Sequence, residues 1–237
     1  MPNKPGPNAS KKRKRLMTFD AETDPFVYGE VPKPFLWCAY DGERYETFTD
    51  TRDFARWIKR QNVIAYAHNA GKFDFHYLLP FLWDEETEAE PVKTKVINHT
   101  IVEIRFGKAT LRDSLKILPI ALRQFQKQDI DYRKLFADVR DQHWDEIVEY
   151  CKYDCYALYV LVDRFRHEIG TGLTIAGNAM NVAKRLEIDP GRTNYKFDSK
   201  FRPYYFGGRC EAFKPGAFLD LHSFDINSAY PYAMKSD

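Results

Sequence analysis

No run of the chain approaches the roughly 20 consecutive apolar residues that a membrane span needs, so no bilayer anchor is expected. No apolar stretch follows the charges at the N-terminus, which argues against a secretory signal. Cysteine is scarce. The four present (Cys38, Cys151, Cys155 and Cys210) show no paired C-x-x-C spacing. Cys151 and Cys155 are four apart, which could suit a metal on a helix, but no companion Cys or His pair follows at zinc-site spacing. Reduced thiols are the expectation, in a protein of the cytoplasm or nucleus that is not secreted. Acid is missing altogether from residues 1–15, which hold Lys4, Lys11, Lys12, Arg13, Lys14 and Arg15. These six produce the formal charge of +2. Without them the basic residues number fewer than the 34 acidic ones, so 16–237 is net acidic. A uniformly basic nucleic-acid surface is thereby excluded. Any such contact is local, and part of the acidity is available for metal ligands. The basic segment reads as a solvated, disordered leader, a nuclear address or a DNA-binding arm.

Hydrophobic residues are not lacking. At 44% of 237 residues they suffice for one substantial core, or one domain and part of a second. Strand patterns run from Leu16 to Asp20, Phe35 to Tyr40 and Arg44 to Phe48, the last two around the hairpin signal Asp41-Gly42-Glu43. Thr51 to Arg60 has helical spacing, with Asp50 or Thr51 as cap. Val63–Ala67 is a short buried strand. It leads into the turn His68-Asn69-Ala70-Gly71 and a helix from Phe73 to about Leu82. After an acidic loop come strands near Val92–Ile97, Thr100–Phe106 and Ala109–Asp113. Asp141 to Glu168 is the clearest helix, with Ile147, Tyr150, Cys151, Asp154, Leu158 and Leu161 along one side. A further helix covers about Ala176 to Leu186, and Asp189-Pro190-Gly191 should end it. Strands and helices mix throughout, which places the chain in the α/β (mixed α+β) class. No internal repeat is visible.

Four carboxylates stand out. Asp20 and Glu22, two apart on a strand, share a face with Thr18, while Phe19 and Ala21 point the other way. Side by side they repel unless a divalent cation lies between them. Asp74 opens a helix, where the helix dipole favours an acid. Tyr150 and Asp154 stack at i,i+4 on the apolar side of their helix, so both face the interior, where a carboxylate needs a partner. Alone, each pattern is weak, because Asp-x-Glu is common by chance and a Tyr/Asp pair is ordinarily a surface hydrogen bond. Their ordered combination is what carries weight.

At these residues the sequence resembles the proofreading exonuclease domain of family B DNA polymerases. Phe19-Asp20-Ala21-Glu22-Thr23 is similar to the first exonuclease motif, His68-Asn69-Ala70-Gly71-Lys72-Phe73-Asp74 to the second, and Tyr150-Cys151-Lys152-Tyr153-Asp154 to the third. The closer resemblance is to the protein-primed branch of phages, adenoviruses and linear plasmids. Asp113-Ser114-Leu115-Lys116-Ile117-Leu118-Pro119 resembles its single-stranded DNA motif, and Lys127-Gln128-Asp129-Ile130 its lysine motif. Tyr205-Phe206-Gly207-Gly208 resembles the Tyr-x-Gly-Gly element joining exonuclease and polymerase modules. Phe224-Asp225-Ile226-Asn227-Ser228-Ala229-Tyr230-Pro231 resembles the first polymerase motif, with Ala229 in place of the usual leucine.

The resemblance implies a ribonuclease H-like exonuclease domain at 16–195, after a disordered basic tail at 1–15. Residues 196–237 would hold the linker and the start of a polymerase palm. It implies two Mg²⁺ or Mn²⁺ ions on Asp20, Glu22, Asp74 and Asp154, removing nucleotides from single-stranded 3′ ends. Tyr150 would position the attacking water and Lys127 would offset phosphate charge. Thr23, Tyr66, His68, Asn69, Phe73, Ser114, Leu115, Tyr132, Tyr205, Gly207 and Gly208 are the candidate contacts to single-stranded or primer-template DNA. For Tyr66, Phe73 and Tyr132 a place in the core is the competing reading, and for His68 a hydrogen-bonded core histidine. A terminal protein primer is a further expected partner. Asp225 would be the first ligand of a polymerase metal site. No Asp-Thr-Asp and no fingers lysine motif follow it, so that site is incomplete here, and the chain is expected to be the N-terminal piece of a polymerase that does not extend primers by itself. Two rivals remain. A stand-alone four-carboxylate exonuclease or ribonuclease would have no use for Tyr-x-Gly-Gly or Asp225. A non-catalytic module binding DNA or terminal protein would not need all four carboxylates.

Overall fold

The computed structural model describes residues 14–121, 129–188, 194–204 and 235. Seven strands form one sheet: β1 (Arg15–Thr23), β2 (Pro34–Tyr40), β3 (Tyr45–Phe48), β4 (Val63–Ala67), β5 (Lys93–Ile97), β6 (Thr100–Phe106) and β7 (Ala109–Asp113). Their order is β3-β2-β1-β4-β7-β6-β5. β1, β4 and β7 run parallel at the centre, and antiparallel neighbours extend the sheet on both sides. Helices α1 (Thr51–Arg60), α2 (Asp74–Asp84), α3 (Trp144–Glu168), α4 (Ile175–Arg185) and α5 (Tyr195–Phe201) complete the regular structure among the described residues. The class is mixed α/β, as the sequence pattern indicates.

The period of two along β1 sorts its side chains onto two faces. Met17, Phe19 and Ala21 join Trp37 and Ala39 of β2, and Ala65 and Ala67 of β4, in a core with Phe54, Ile58, Phe75 and Leu78 of α1 and α2. The Trp37 ring stacks on Phe54 at 4.8 Å, and its indole N–H donates to Thr51 Oγ1 at 3.0 Å. Asp50 is the cap of α1, accepting from Asp53 N. α3 covers the opposite face through two clusters. Leu36 and Cys38 meet Ile147, Cys151 and Cys155, and Leu16 and Tyr66 meet Leu158 and Val162.

Several sequence expectations need correction. The long helix begins at Trp144 rather than Asp141, because Arg140–His143 forms a separate 3-10 turn. Its buried stripe includes Cys155 and Val162, whereas Leu161 is only half-buried, since 3.6 residues per turn carries position 161 off the stripe. The folded part also starts before residue 16. Arg15 pairs with Val63 in β1, and half-buried Lys14 donates to Thr110 Oγ1 at 2.7 Å. The rest of the basic leader, residues 1–13, lies outside the described residues, as do Asp189-Pro190-Gly191.

The chain divides into two compact units, Met1–Pro190 and Gly191–Asp237. In the second, Asn194 caps α5 by accepting from Lys196 N and Phe197 N, and Phe197 and Phe201 pack ring to ring at 4.4 Å.

Candidate nuclease site

β1 delivers two carboxylates near its C-terminal end. Asp20 faces Cys38 of β2 across the ladder, and Glu22 faces Leu36, just before the register shifts between Glu22 and Thr23. α3 lies over this end. The Thr18 hydroxyl donates to Cys155 O at 2.7 Å, and the Cys151 thiol reaches Asp20 O at 3.9 Å. These contacts seat α3 against β1 and bring Tyr150 and Asp154, one helical turn apart, to the same place. The carboxylates of Asp20 and Glu22 and the Cys151 sulfur each offer a ligand atom within 4.8 Å of the others. Burial pushes the Cys151 thiol well up, so oxygen is the ionised donor of the group.

A cavity of about 450 Å³ opens here, lined by Asp20, Glu22, Thr23, Phe73, Tyr132, Tyr150 and Asp154 among others. Tyr150 is 5% exposed. Burial first, and then the charges of Asp154, Glu22 and Asp20, push its hydroxyl far up, so it stays protonated and can donate. Tyr132, by contrast, is 65% exposed at the cavity mouth.

Asp74 arrives by a different route. Asn69 adopts a left-handed conformation (φ 59°), Ala70–Lys72 makes a 3-10 turn, and Asp74 is the first residue of α2. Gly71 is required by close approach: a Cβ there would lie 2.1 Å from Ile101 O. The Asp74 side chain is buried, and its Oδ1 has no hydrogen-bond partner. Burial, followed by repulsion from Asp113, pushes its carboxyl up to about 7. Asp74 is not among the residues lining the cavity.

Asp113 is a neighbour of the site that the carboxylate pattern does not mark. It ends β7, is buried, and accepts from Gly71 N at 3.3 Å and Leu115 N at 3.0 Å. Its position leading the Ser114-Leu115 motif is the one local signal. Cys151 is a second such residue, and its i,i+4 relation to Cys155 is all that distinguishes it in the sequence.

Two of the expected DNA contacts belong to the interior instead. Tyr66 is 2% exposed, because even-numbered positions of β4 face α3, and its hydroxyl accepts from Arg112 at 3.3 Å. It cannot stack on a base. Ser114 is fully buried; its hydroxyl donates to Ala67 O at 3.1 Å and lies 3.0 Å from His68 Nδ1. His68 is thus half-buried in a local hydrogen-bond network, and Asn69 and Leu115 are half-buried beside it. Lys127, Tyr205, Gly207, Gly208 and Asp225 lie outside the described residues.

Known proteins share both the sequence and the fold. The family described as DNA polymerase type B, organellar and viral, matches residues 124–237. The chain is 41% identical over 241 residues to the DNA-directed DNA polymerase of Enterobacteria phage PRD1, an alignment covering 97% of this chain and 42% of that protein. The chain therefore spans about two fifths of this relative's length. The fold of this chain is that of part of Phi29 DNA polymerase. The form complexed with single-stranded DNA superposes with a TM-score of 0.67 at 19% identity, over 83% of this chain and 40% of that one. The ternary complex with primer-template DNA and incoming nucleotide gives 0.64 at 18%, over 83% and 39%.

Proposed function

Because this chain belongs to the protein-primed family B DNA polymerases, as part of their N-terminal region, we propose that it carries a 3′→5′ exonuclease acting on single-stranded DNA ends. The observation that carries the reading is the cleft in which Asp20 and Glu22 of β1 meet Tyr150 and Asp154 of α3. The residues fit divalent cations. Their carboxylate oxygens are hard donors, two of them within 4.8 Å, and the buried Asp74 oxygen without a partner is a group that a cation would satisfy. Asp20, Glu22, Asp74 and Asp154 would hold two Mg²⁺ or Mn²⁺ ions. When bound, such ions acidify a water and offset charge on the phosphorus and the leaving 3′ oxygen.

The chain's own groups supply the rest. Tyr150, kept protonated by its surroundings, donates a hydrogen bond that orients the attacking water toward the phosphodiester. Phe73 and Tyr132 line the cavity, and on their rings bases of a frayed strand would stack without regard to sequence. Thr23 closes the strand side. Lys127 would balance phosphate charge. In the whole protein, polymerisation on primer-template DNA would use Asp225 with ligands from further segments, and a terminal protein would serve as primer.

The test is degradation of a 5′-labelled single-stranded oligonucleotide. The expected result is stepwise shortening from the 3′ end in Mg²⁺ or Mn²⁺, abolished by chelator and by Asp20→Ala with Glu22→Ala. Endonucleolytic products, or undiminished cutting in chelator, would overturn the reading.

A further inference from the structure

One aromatic at the cleft, Phe26, belongs to none of the sequence motifs and was not among the expected DNA contacts. Phe26 sits in the connection between β1 and β2 and is 76% exposed. It nevertheless lines the same cavity as Asp20, Glu22 and Asp154. Its ring meets Phe73 at 5.9 Å with an interplanar angle of 44°, and Phe73 meets Tyr77 edge-on at 5.2 Å. Phe26 therefore ends a row of rings that begins on α2 and finishes at the cavity edge. The base of the connection is pinned. Asp24 N donates to Lys33 O at 3.0 Å, and Arg140, stacked over Phe35 at 4.1 Å, pairs with Asp24 at 2.9 Å.

A phenyl ring left this open contributes little to the core, since most of its apolar surface stays in water. Its one ring contact among the described residues is with Phe73. The surface it presents is continuous with the carboxylates, so a ligand spanning both must offer an anion for cations at one end and a flat apolar face at the other. A nucleotide strand has both, with its phosphates at the carboxylate end and its bases on the rings.

We propose that Phe26 and Phe73 together form a stacking wall for a base of the 3′ single strand, with Phe26 holding a nucleotide on the 5′ side of the scissile bond. This rests on the nuclease reading, and it assigns to the connection between β1 and β2 the task of gripping the strand while the end is cut. Phe26 is a positioning residue, since it touches the strand away from the reacting atoms.

The test uses the full chain in chelator, where no cutting occurs, with oligonucleotides carrying 2-aminopurine at successive positions from the 3′ end. Stacking quenches that fluorophore. At one position Phe26→Ala should abolish the quenching and weaken binding about tenfold, and Phe26→Trp should restore both. An abasic residue at that position should weaken wild-type binding by the same factor, with no further loss in Phe26→Ala. A purely structural role would lower affinity equally for intact and abasic strands, and that result overturns the proposal, as does binding within twofold of wild type. Thermal unfolding should not change in Phe26→Ala. The two readings separate cleanly. Wild-type protein that quenches and binds but never shortens DNA in Mg²⁺ overturns the nuclease reading and leaves the wall standing. Shortening with no effect of Phe26→Ala does the reverse.

Discussion

At the scale of single residues, Asp74 sets stability against the metal-binding role proposed for it. A carboxylate that is 2% exposed, with one oxygen unpartnered and Asp113 close by, raises the free energy of the folded chain when no cation is bound. Asp74→Asn keeps the shape and removes the charge. In chelator the variant should be more stable by about 1–2 kcal/mol, raising the midpoint of thermal unfolding by about 2–8 °C for a chain of this size. In Mg²⁺ the same variant should lose degradation of single-stranded DNA and lose the stabilisation that metal gives wild type. Calorimetry with and without Mg²⁺ checks both halves. A variant less stable than wild type in chelator would mean that Asp74 is well paired in the metal-free fold.

At the scale of elements, β6, β7 and β4 are tied together through one buried acid. Glu103 of β6 lies opposite Arg112 of β7, accepts from its Nε at 2.9 Å, and accepts from Arg105 Nε at 2.8 Å. Arg112 continues to the Tyr66 hydroxyl on β4 and to Thr171 O. Burial is the largest influence on Glu103 and pushes its carboxyl up. The two guanidiniums together outweigh it and hold the carboxyl below the usual range. A lowered carboxylate contributes stability that is complete above its unfolded value, near 4.3, and is lost as pH falls through the folded value. Glu103→Gln should therefore cost about 3 kcal/mol at pH 7. The gap between variant and wild type should narrow as pH falls below about 4, in urea titrations at each pH. A gap independent of pH would show that charge at Glu103 is not what holds these strands.

At the scale of the whole molecule, charge is divided along the chain. Residues 16–237 are net acidic, and the basic excess is concentrated in the first fifteen residues. If that segment works as a DNA-binding arm, it supplies a salt-dependent part of affinity that the cleft does not. Replacing Lys4, Lys11, Lys12 and Arg13 by Gln should weaken single-stranded DNA binding at low salt. It should also reduce the slope of log affinity against log salt by about 0.7 for each phosphate that is no longer neutralised. Stacking in the cleft should persist. An unchanged slope would leave the segment as a solvated leader or an address.

What the sequence determined by itself is what short-range geometry controls. A strand has a period of two, so Thr18, Asp20 and Glu22 had to share a face. A helix turns in 3.6 residues, so Tyr150 and Asp154 had to stack. Turn chemistry at Asn69 and Gly71 placed the start of α2 and Asp74 with it. The tertiary structure decided everything that depends on which elements become neighbours. Tyr66 looked like a DNA contact because an aromatic can stack on a base, and Ser114 because it lies in the segment that resembles the single-stranded DNA motif. β4 and β7 run side by side in the middle of the sheet, with both faces covered, so these side chains are buried. Phe26 looked unremarkable because nothing local marks it, and Asp113 is marked only by leading the Ser114-Leu115 motif. Phe26 meets at the cleft the ring of Phe73, 47 positions on and just before α2, and Asp113 approaches Asp74 only because β7 ends where the turn at Gly71 must pass. Burial and adjacency are set by contacts between segments distant in sequence, and no window of the sequence contains them.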